Sequence, residues 1–157
     1  MSSQVLSAQT SSPALDAWVR LLRGTAALRR ALSAELQSSH GLSINDYEAL
    51  LVLSRAENGH TRRVDLAERL QLTASGVTRL LAGLERAGLV EKATCSRDAR
   101  VTYAVLTDAG RAKLEEASGP HQAAIEALFQ ERYTAEELQT LTELLDRLPV
   151  APTACDA

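Results

Sequence analysis

The sequence LTASGVTRLLAGLERAGLVEKATCSRDARVTYAVL, residues 72–106, decides the fold of this chain. Its first half predicts an amphipathic helix, because apolar side chains recur at a spacing of three or four residues. The apolar face consists of Val77, Leu80, Leu81 and Leu84. Thr73 can cap this helix, since its hydroxyl can accept a hydrogen bond from an early backbone amide, and Gly88 can end it in the left-handed conformation.

The opposite face of the predicted helix is small near its start and cationic further along. At about 100° per residue, this face carries Ser75, Arg79, Ala82 and Arg86. A helix with a narrow leading end and arginines behind it fits the major groove of DNA, where side chains read base edges. We therefore expect this helix to be a DNA-reading helix.

Two strand-like runs follow the helix and flank a polar loop at residues 95–100. The runs are Leu89 to Thr94 and Val101 to Leu106, and their alternating character predicts an antiparallel hairpin. A short connection at residues 71–73 has the length of the turn in a helix-turn-helix. Together these features predict a winged helix-turn-helix, a mainly α fold with a small β-hairpin wing.

The distribution of charge supports this prediction although the net charge does not. The net charge of −3 and the pI near 5.6 disfavour a nucleic-acid binder. Residues 1–54 carry four basic and four acidic side chains and sum to zero, whereas residues 55–113 carry eleven basic and seven acidic, giving +4. Residues 114–157 carry two basic and nine acidic, giving −7. The positive charge therefore lies with the predicted reading head.

Composition favours a helical protein inside the cell. Aromatic residues make up only 3% of the chain, so Leu and Ala must build the core. We find no basic start followed by an apolar run, and no segment near the ~18 apolar residues of a membrane span. Cys95 and Cys155 are too few for a disulfide framework. We expect a cytoplasmic protein with reduced cysteines.

A long helix is expected at the amino-terminal side. Residues 1–12 are rich in Ser, Gln and Thr and should form a disordered tail. The helix should run from Pro13 until Gly41 ends it. Two apolar stripes on it fit either burial between the domain and a sister subunit or a central position in a monomeric bundle. The stripes are Trp18, Leu21, Thr25, Leu28, Leu32 and Leu36, and beside them Leu15, Val19, Leu22 and Ala26.

Three shorter elements are expected before the reading helix. Ser43 and Asp46 have the capping-box spacing of a second helix, which should stop near Asn58. Residues 60–62 can add a short strand to the hairpin, and a third helix should run roughly from residue 64 to 70. We expect these two helices to pack the following side chains inward: Ile44, Tyr47, Leu50 and Leu51 from the second, and Val64, Leu66, Ala67 and Leu70 from the third.

Two helices are expected after the hairpin. Thr107 begins the first of them, in which Gly119-Pro120 should cause a kink or a break. Thr134 and Glu137 form a capping box for the last helix, which should continue until Pro149 stops it. Residues 149–157 should form a loose tail. The last helix is lined by Leu138, Leu141, Leu144, Leu145 and Leu148.

Five stretches, in this order, resemble the multiple-antibiotic-resistance regulator (MarR) family. They are Val64–Leu70, Leu72–Leu80, Leu84–Val90, Asp98–Arg100 and Leu106–Gly110, and the resemblance spans about residues 13 to 148. The family consists of homodimeric winged-helix transcription regulators, commonly repressors, that are often released from DNA by small phenolic or lipophilic ligands or by thiol oxidation. The resemblance implies a dimerisation region at residues 13–40 and 108–148 and a winged helix-turn-helix domain at residues 41–107.

The resemblance also assigns the wing tip to DNA. Asp98 and Arg100 match a family pair in which the carboxylate holds the arginine for contact with the minor groove, whose negative potential attracts arginine. On turn chemistry alone, Arg97, Asp98 and Arg100 are simply a solvated hairpin turn. Gly76 departs from the side chain that such helices usually carry there. It either permits close approach to a base or phosphate, or marks a weakly read site.

A small-molecule pocket is implied only by the resemblance. It would lie between the dimer helices and the winged domain, and its candidate lining residues are Trp18, Arg20, Thr25, His40 and Tyr47. Each of these side chains is equally compatible with an ordinary place in the core or on the surface.

Other site chemistry is weakly indicated. Cys95 has Lys92 and Arg97 near it, and cations can lower the pKa of a thiol, although an incidental small residue is the simpler interpretation. The three histidines, His40, His60 and His121, lack metal-ligand spacing, so we expect them in loops or at the surface and expect no metal or cofactor. We recognise no catalytic motif.

These observations predict a homodimeric, sequence-specific regulator that binds double-stranded DNA at a pseudo-palindromic operator. We expect a ligand-responsive repressor and not an enzyme. The residues predicted to contact DNA are Thr73, Ser75, Gly76, Thr78, Arg79, Arg86, Arg97, Asp98 and Arg100. Two alternatives remain: a winged-helix module that binds proteins without DNA, and a thiol-redox-sensing regulator that uses Cys95.

Overall fold

The computed structural model describes residues 12–56, 59–94 and 101–149, which form six helices and three strands. The helices are α1 (Pro13–His40), α2 (Ile44–Ser54), α3 (Arg63–Arg69), α4 (Ala74–Arg86), α5 (Asp108–Gln130) and α6 (Ala135–Leu145). The strands are β1 (His60–Arg62), β2 (Val90–Thr94) and β3 (Thr102–Leu106). This architecture confirms the prediction of a mainly α fold with a small β-hairpin wing.

The chain falls into two compact units, and the division lies inside α1. The first unit ends at Ala31 and the second begins at Leu32. Between residues 12 and 31 no side chain is buried, and Leu15, Trp18 and Leu22 each expose more than half of their surface. The apolar stripes of this part of α1 therefore lie on the surface of the described part of the first unit.

The core of the second unit collects one face of each element from the end of α1 to α5. Its fully buried side chains come from α1, α2, α3 and α4, with β2, β3 and α5 completing the cluster. The largest of them are Leu36, Leu50, Leu53, Leu66, Val77, Leu81 and Val90. In contrast, no residue of α6 is buried. The reading helix α4 is thus held by its apolar face, as its sequence pattern predicts.

The three strands form one antiparallel sheet in the order β1-β3-β2. The hairpin pairs Val90 with Leu106 and Thr94 with Thr102. On the other side of β3, the strand at residues 60–62 pairs along its whole length, from His60 opposite Val105 onward. This confirms the short strand predicted there, and it attaches the wing to the segment that leads into α3.

Helix ends follow the capping signals in the sequence. The side chain of Thr73, Thr107 or Thr134 accepts a hydrogen bond from the backbone amide three residues later at the start of α4, α5 or α6. Reciprocal capping boxes are present at Ser43 and Asp46 and again at the start of α6. Each such cap contributes about 1 kcal/mol by satisfying a backbone donor that the helix itself cannot satisfy.

The helices α3 and α4 both end with a left-handed residue, but only one of these is glycine. Gly88 has φ 72°, and the amide of Leu89 donates to the carbonyl of Leu84 at 3.0 Å. After α3 the corresponding residue is Gln71, with φ 53°, and Leu72 donates to Ala67 at 3.0 Å. This hydrogen-bonding pattern closes a helix and reverses the chain. At Gln71 the turn between α3 and α4 is formed in spite of a side chain that disfavours it.

The start of α5 is pressed against the turn that follows α4. The hydroxyl of Thr107 donates to the carbonyl of Gly88 at 2.7 Å, and its amide donates to the carbonyl of Leu89. A Cβ placed on Gly110 would lie 2.0 Å from that same Leu89 oxygen and 2.7 Å from Leu106 Cδ1. Only glycine permits this approach, which gives a physical reason for the last residue of the Leu106–Gly110 motif.

Two helix ends differ from the sequence prediction. The second helix ends at Ser54 rather than near Asn58, because the backbone tightens and the amide of Ala56 donates to Leu53 at 3.3 Å. The last helix ends at Leu145, before Pro149. There the chain again tightens into hydrogen bonds that span three residues, such as that from Leu148 to Leu145 at 2.9 Å.

Two further expectations were wrong in detail. Val64 was expected to be buried, but it exposes 63% of its surface, because α3 has only seven residues and buries Leu66 instead. Of the kink or break predicted at Gly119-Pro120, the break does not occur, because α5 continues through Pro120. Buried residues on both sides, Ala117 and His121 among them, hold the helix in place and offset the loss of about 3 kcal/mol that an interior proline causes.

None of the helices among the described residues combines the length and the apolar character needed to cross a membrane.

Candidate nucleic-acid interface

The solvent-facing side of α4 is the surface that the sequence predicted. Val77, Leu81 and Leu84 are buried beneath it and Leu80 is half-buried. The four side chains predicted for the outer face are all exposed: Ser75, Arg79, Ala82 and Arg86. A helix that is fixed by one apolar face presents its other face without further rearrangement. α4 can therefore insert that face into a groove.

The amino-terminal turn of α4 is organised by Thr73. Its Oγ1 accepts a hydrogen bond from the amide of Gly76 at 3.1 Å and lies 3.2 Å from the Oγ of Ser75. Thr73 is thus committed first to the helix cap, as expected, and it also orients Ser75. The hydroxyl of Ser75 can donate or accept, which allows it to meet either a base edge or a phosphate.

Thr78 and Arg86 each use one donor on their own helix. The hydroxyl of Thr78 donates to the carbonyl of Ala74 at 2.9 Å, and Nε of Arg86 donates to the carbonyl of Ala82 at 3.1 Å. In this state Thr78 can accept from a base amino group but cannot donate to a phosphate. The guanidinium of Arg86 is held back along the helix, which suits attraction to the DNA backbone more than base reading.

The structure gives a local reason for a glycine at position 76. A Cβ at this position would lie 3.2 Å from Oγ1 of Thr73 and 3.7 Å from Cβ of Leu72. The first distance is tighter than most real contacts, so a side chain would press on the hydroxyl that caps α4. Glycine at this position therefore protects the cap, whatever it also does toward DNA.

An exposed ion pair at the start of α3 was not singled out from the sequence. Nε and Nη2 of Arg62 donate to the two carboxylate oxygens of Asp65 at 2.8 and 2.9 Å. Hydrogen bonding to this carboxylate raises the pKa of the Arg62 guanidinium above its ordinary value. The signal was available as an arginine and an aspartate three residues apart at a helix start. The pair fixes the direction of one more cation on the reading head.

The wing-tip residues cannot be placed in the same way. Cys95, Arg97, Asp98 and Arg100 lie outside the described residues, as does Cys155. The two strands that carry the tip are described, and Lys92 is exposed on β2. The predicted pairing of Asp98 with Arg100 and the redox role considered for Cys95 therefore stay predictions.

Comparison with known proteins shows which protein family this chain resembles. The model of the MarR family matches residues 40–101, which include α2, α3, α4 and β2. The HTH-type transcriptional repressor YetL of Bacillus subtilis (strain 168) is 32% identical over 117 residues, which cover 72% of this chain and 70% of YetL. AbsC, a MarR family transcriptional regulator from Streptomyces coelicolor, is 30% identical, covers 85% of this chain and 90% of its own, and superposes with a TM-score of 0.74.

The chain belongs to the MarR family of transcriptional regulators. A further MarR family regulator from Streptomyces coelicolor, Sco3205, was solved in complex with DNA. It is 26% identical, covers 92% of this chain and 88% of its own, and has a TM-score of 0.76. The resemblance inferred from the five sequence motifs is thereby confirmed, and with it the assignment of α3 and α4 to a winged helix-turn-helix.

The side chains predicted to line an effector pocket of this MarR family member fall into both compact units. Trp18, Arg20 and Thr25 belong to the first unit, where all three are exposed. His40 and Tyr47 belong to the second unit. Nδ1 of His40 lies 3.0 Å from Oε1 of Glu116, and Oη of Tyr47 donates to Oγ of Ser118 at 3.2 Å. These last two are tied to α5.

Two of the three histidines are not at the surface, contrary to expectation. His121 is 5% exposed, and the side chain of His40 is 8% exposed, because the end of α1, α2 and α5 enclose them. His60 is exposed, as predicted. The hydrogen bond from His40, together with Lys113, lowers the pKa of Glu116. Among the described residues no group of three or more His, Cys, Asp or Glu could hold a metal ion.

Proposed function

We propose that this MarR family regulator is a homodimeric repressor that binds double-stranded DNA through α4 and the wing. The observation that carries the proposal is the exposed face of α4, on which Ser75 and Arg79 stand above a buried apolar face. The complex of Sco3205 with DNA supports the same use of the fold. Two copies should span half-sites about 10 base pairs apart on a pseudo-palindromic operator.

Within this interface each side chain has a distinct task. Arg79 has no helix-capping duty and reads a base edge, for which a bidentate arginine–guanine pair is the commonest solution. Ser75 and Thr78 contact neighbouring bases or phosphates, while Thr73 holds the helix end and reaches a phosphate. Arg86 adds attraction to the backbone, and Gly76 allows the capped turn to approach closely.

The wing supplies the flanking contacts. Arg100, steadied by Asp98, enters the minor groove or pairs with its phosphates, and Arg97 adds a second cation. A narrow minor groove concentrates negative potential, which makes an arginine the appropriate side chain. This part of the proposal rests on the family resemblance, because these three residues lie outside the described part of the chain.

The dimer is proposed to form through residues 13–40 and 108–148, leaving residues 41–107 as the DNA-binding domain. Large apolar side chains are exposed in both of these segments, and this supports a second copy as their partner. They include Leu15, Trp18, Leu21 and Leu22 on α1, Tyr133 just before α6, and Leu144, Leu145 and Leu148 at and after its end. A small-molecule effector would change DNA binding only if it binds the DNA-competent and DNA-incompetent states with different affinity.

A salt titration with a labelled operator duplex tests the proposal. The operator is first obtained by selecting bound sequences from random duplexes. Affinity should fall steeply as salt rises, since each neutralised phosphate releases counterions. An affinity that does not change with salt would favour the alternative of a protein-interaction module. The thiol-sensing alternative is tested by repeating the titration under oxidant with the wild-type protein and with Cys95→Ser. If Cys95 senses oxidant, the wild-type protein should respond to it and the variant should not.

A further inference from the structure

A cluster of polar side chains is buried in the second unit, where the end of α1, α2 and α5 meet. Its centre is His121 on α5, which is 5% exposed. The ring of Tyr47 packs on it with a centroid distance of 4.6 Å. Tyr47 donates to Ser118, and Ser118 donates to the carbonyl of Leu114 at 2.7 Å. One side of the cluster is therefore fully hydrogen-bonded.

The other side of the cluster is not. Among the residues that the structure describes, Oε2 of Glu35, Nε2 of His40 and Nδ1 of His121 are buried without a hydrogen-bond partner. The Glu35 oxygen and the His121 nitrogen are 4.0 Å apart, which is too far for a hydrogen bond. Each unsatisfied buried polar group costs about 1–3 kcal/mol.

Charged and titratable groups face His121 from every side. Glu35 and His40 face it from α1, and Glu48 and Tyr47 from α2. Burial lowers the pKa of His121 below 6.5, although the carboxylates of Glu35 and Glu48 act in the opposite direction and His40 adds to the lowering. On α5 itself, Lys113 and Glu116 are paired with each other, and Glu116 is also paired with His40.

The sign of the pH effect follows from this lowered pKa. A state in which the ring is exposed takes up a proton near the ordinary pKa of 6.5, before the buried ring does. The described arrangement therefore has its full stability above pH 6.5. It loses stability as the pH falls below that value, until the buried ring is itself protonated.

The cluster is connected to the reading head through α5. The first turn of this helix is fixed to the end of α4 by the hydrogen bond from Thr107 to Gly88 and by the close approach of Gly110 to Leu89. The same helix carries His121 further along. A shift of α5 at His121 is thus transmitted to the turn that follows α4.

We propose that His121 is a proton sensor: its protonation displaces the junction of α1, α2 and α5 from the described arrangement and weakens binding to DNA. The inference rests on the proposed DNA-binding function. The direction of the pH effect distinguishes this proposal from simple charge attraction, because protonation of an exposed histidine adds positive charge and strengthens attraction to phosphates. Weaker binding in acid therefore requires a change of conformation.

The experiment measures affinity for the operator duplex from pH 8 to pH 5.5 at constant salt and with a chelator present. For the wild-type protein we expect binding about tenfold weaker at the acid end, with a slope of at most about one proton per subunit. His121→Gln should abolish the weakening. Glu35→Gln should make the weakening larger, because without this carboxylate the pKa of the buried His121 ring falls further below that of the exposed ring. His60→Gln is the matched control and should respond like the wild type.

A second measurement follows the free protein by NMR, with the His121 ring and the Ser118 amide as probes. Both should titrate together below pH 6.5. The proposal is overturned if His121→Gln still binds the operator more weakly in acid. It is also overturned if the His121 ring titrates while the signal of the Ser118 amide does not shift. If no variant binds DNA at any pH, the proposed function fails, whereas the NMR titration still decides whether the proton-linked rearrangement exists. Circular dichroism at pH 7.5 verifies that each variant is folded.

Discussion

The helices α4 and α6 have the same kind of sequence pattern, but only α4 buries its apolar face. Each begins with a threonine cap and carries leucines at helical spacing. In α4 the apolar side chains are buried within the chain, whereas in α6 no side chain is buried and Leu144 exposes 49% of its surface. Periodicity thus predicts a helix and the direction of its apolar face, but not whether the same chain or a second one covers that face.

The largest expected effect contrasts the two faces directly. Leu81→Ala should lower the free energy of unfolding by about 3 kcal/mol at every protein concentration, because it leaves a cavity in the core of the second unit. Leu144→Ala should cause a loss that depends on protein concentration, since it acts through a second copy. Urea unfolding at two concentrations measures both. If the loss in Leu144→Ala were equal at both concentrations, the proposed partner of α6 would be wrong.

The next effect tests the joint between α5 and the end of α4. Gly110→Ala should destabilise the protein by about 3 kcal/mol, because its methyl group would overlap the Leu89 carbonyl and the backbone must move. Gly83→Ala on α4 is the control: nothing lies within 4 Å of its Cβ, and alanine is the better helix former, so stability should rise by about 0.5–1 kcal/mol. Equal thermal midpoints for the two variants would contradict this account of the joint.

On the outer face of α4 the expected effect is on binding rather than on folding. Arg79→Ala should cost about 1–3 kcal/mol of specific affinity and reduce discrimination between operator and random DNA. Its melting temperature should be unchanged, because the side chain is exposed. Arg132→Ala, an exposed arginine near the end of α5, is the matched control and should bind normally. Unaltered discrimination by Arg79→Ala would refute the reading role.

The smallest effect compares the two caps. Thr73→Ala and Thr134→Ala each remove a side-chain acceptor from a helix start, and each should cost about 1 kcal/mol. The first should also weaken DNA binding, because Thr73 orients Ser75. The second should act on α6 and, through it, only on the proposed dimer. Hydrogen exchange at the first turns of the two helices measures the loss at each site, and an equal effect of both variants on DNA affinity would show that Thr73 has no special role.

Local signals account for what the sequence predicted well. The caps at Thr73, Ser43 and Thr134, and the left-handed Gly88, depend on residues within one turn of each other, so they can be identified without knowing the fold. The exposure of Arg79 also follows from helix geometry once the apolar face is assigned. For the same reason the outer face of α4 was predicted correctly as a set.

Long-range packing accounts for what the sequence did not predict. Nothing near Gly110 in the sequence indicates that the Leu89 carbonyl would lie against it. The burial of His121 likewise depends on α1 and α2, and histidine is too ambivalent in polarity to reveal it. The expectation that Val64 is buried failed because a seven-residue helix has room for only one inward-facing turn. Contacts between distant segments decide these outcomes.

The pairing of β1 with β3 has a mechanical consequence. β1, which immediately precedes α3, is hydrogen-bonded to β3 of the hairpin. The wing is therefore held to the start of the helix-turn-helix. The hairpin cannot move away from α3 without breaking the hydrogen bonds between β1 and β3. A displacement of the hairpin must therefore also move the start of α3, so the proposed contacts of α4 and of the wing with DNA should be lost together.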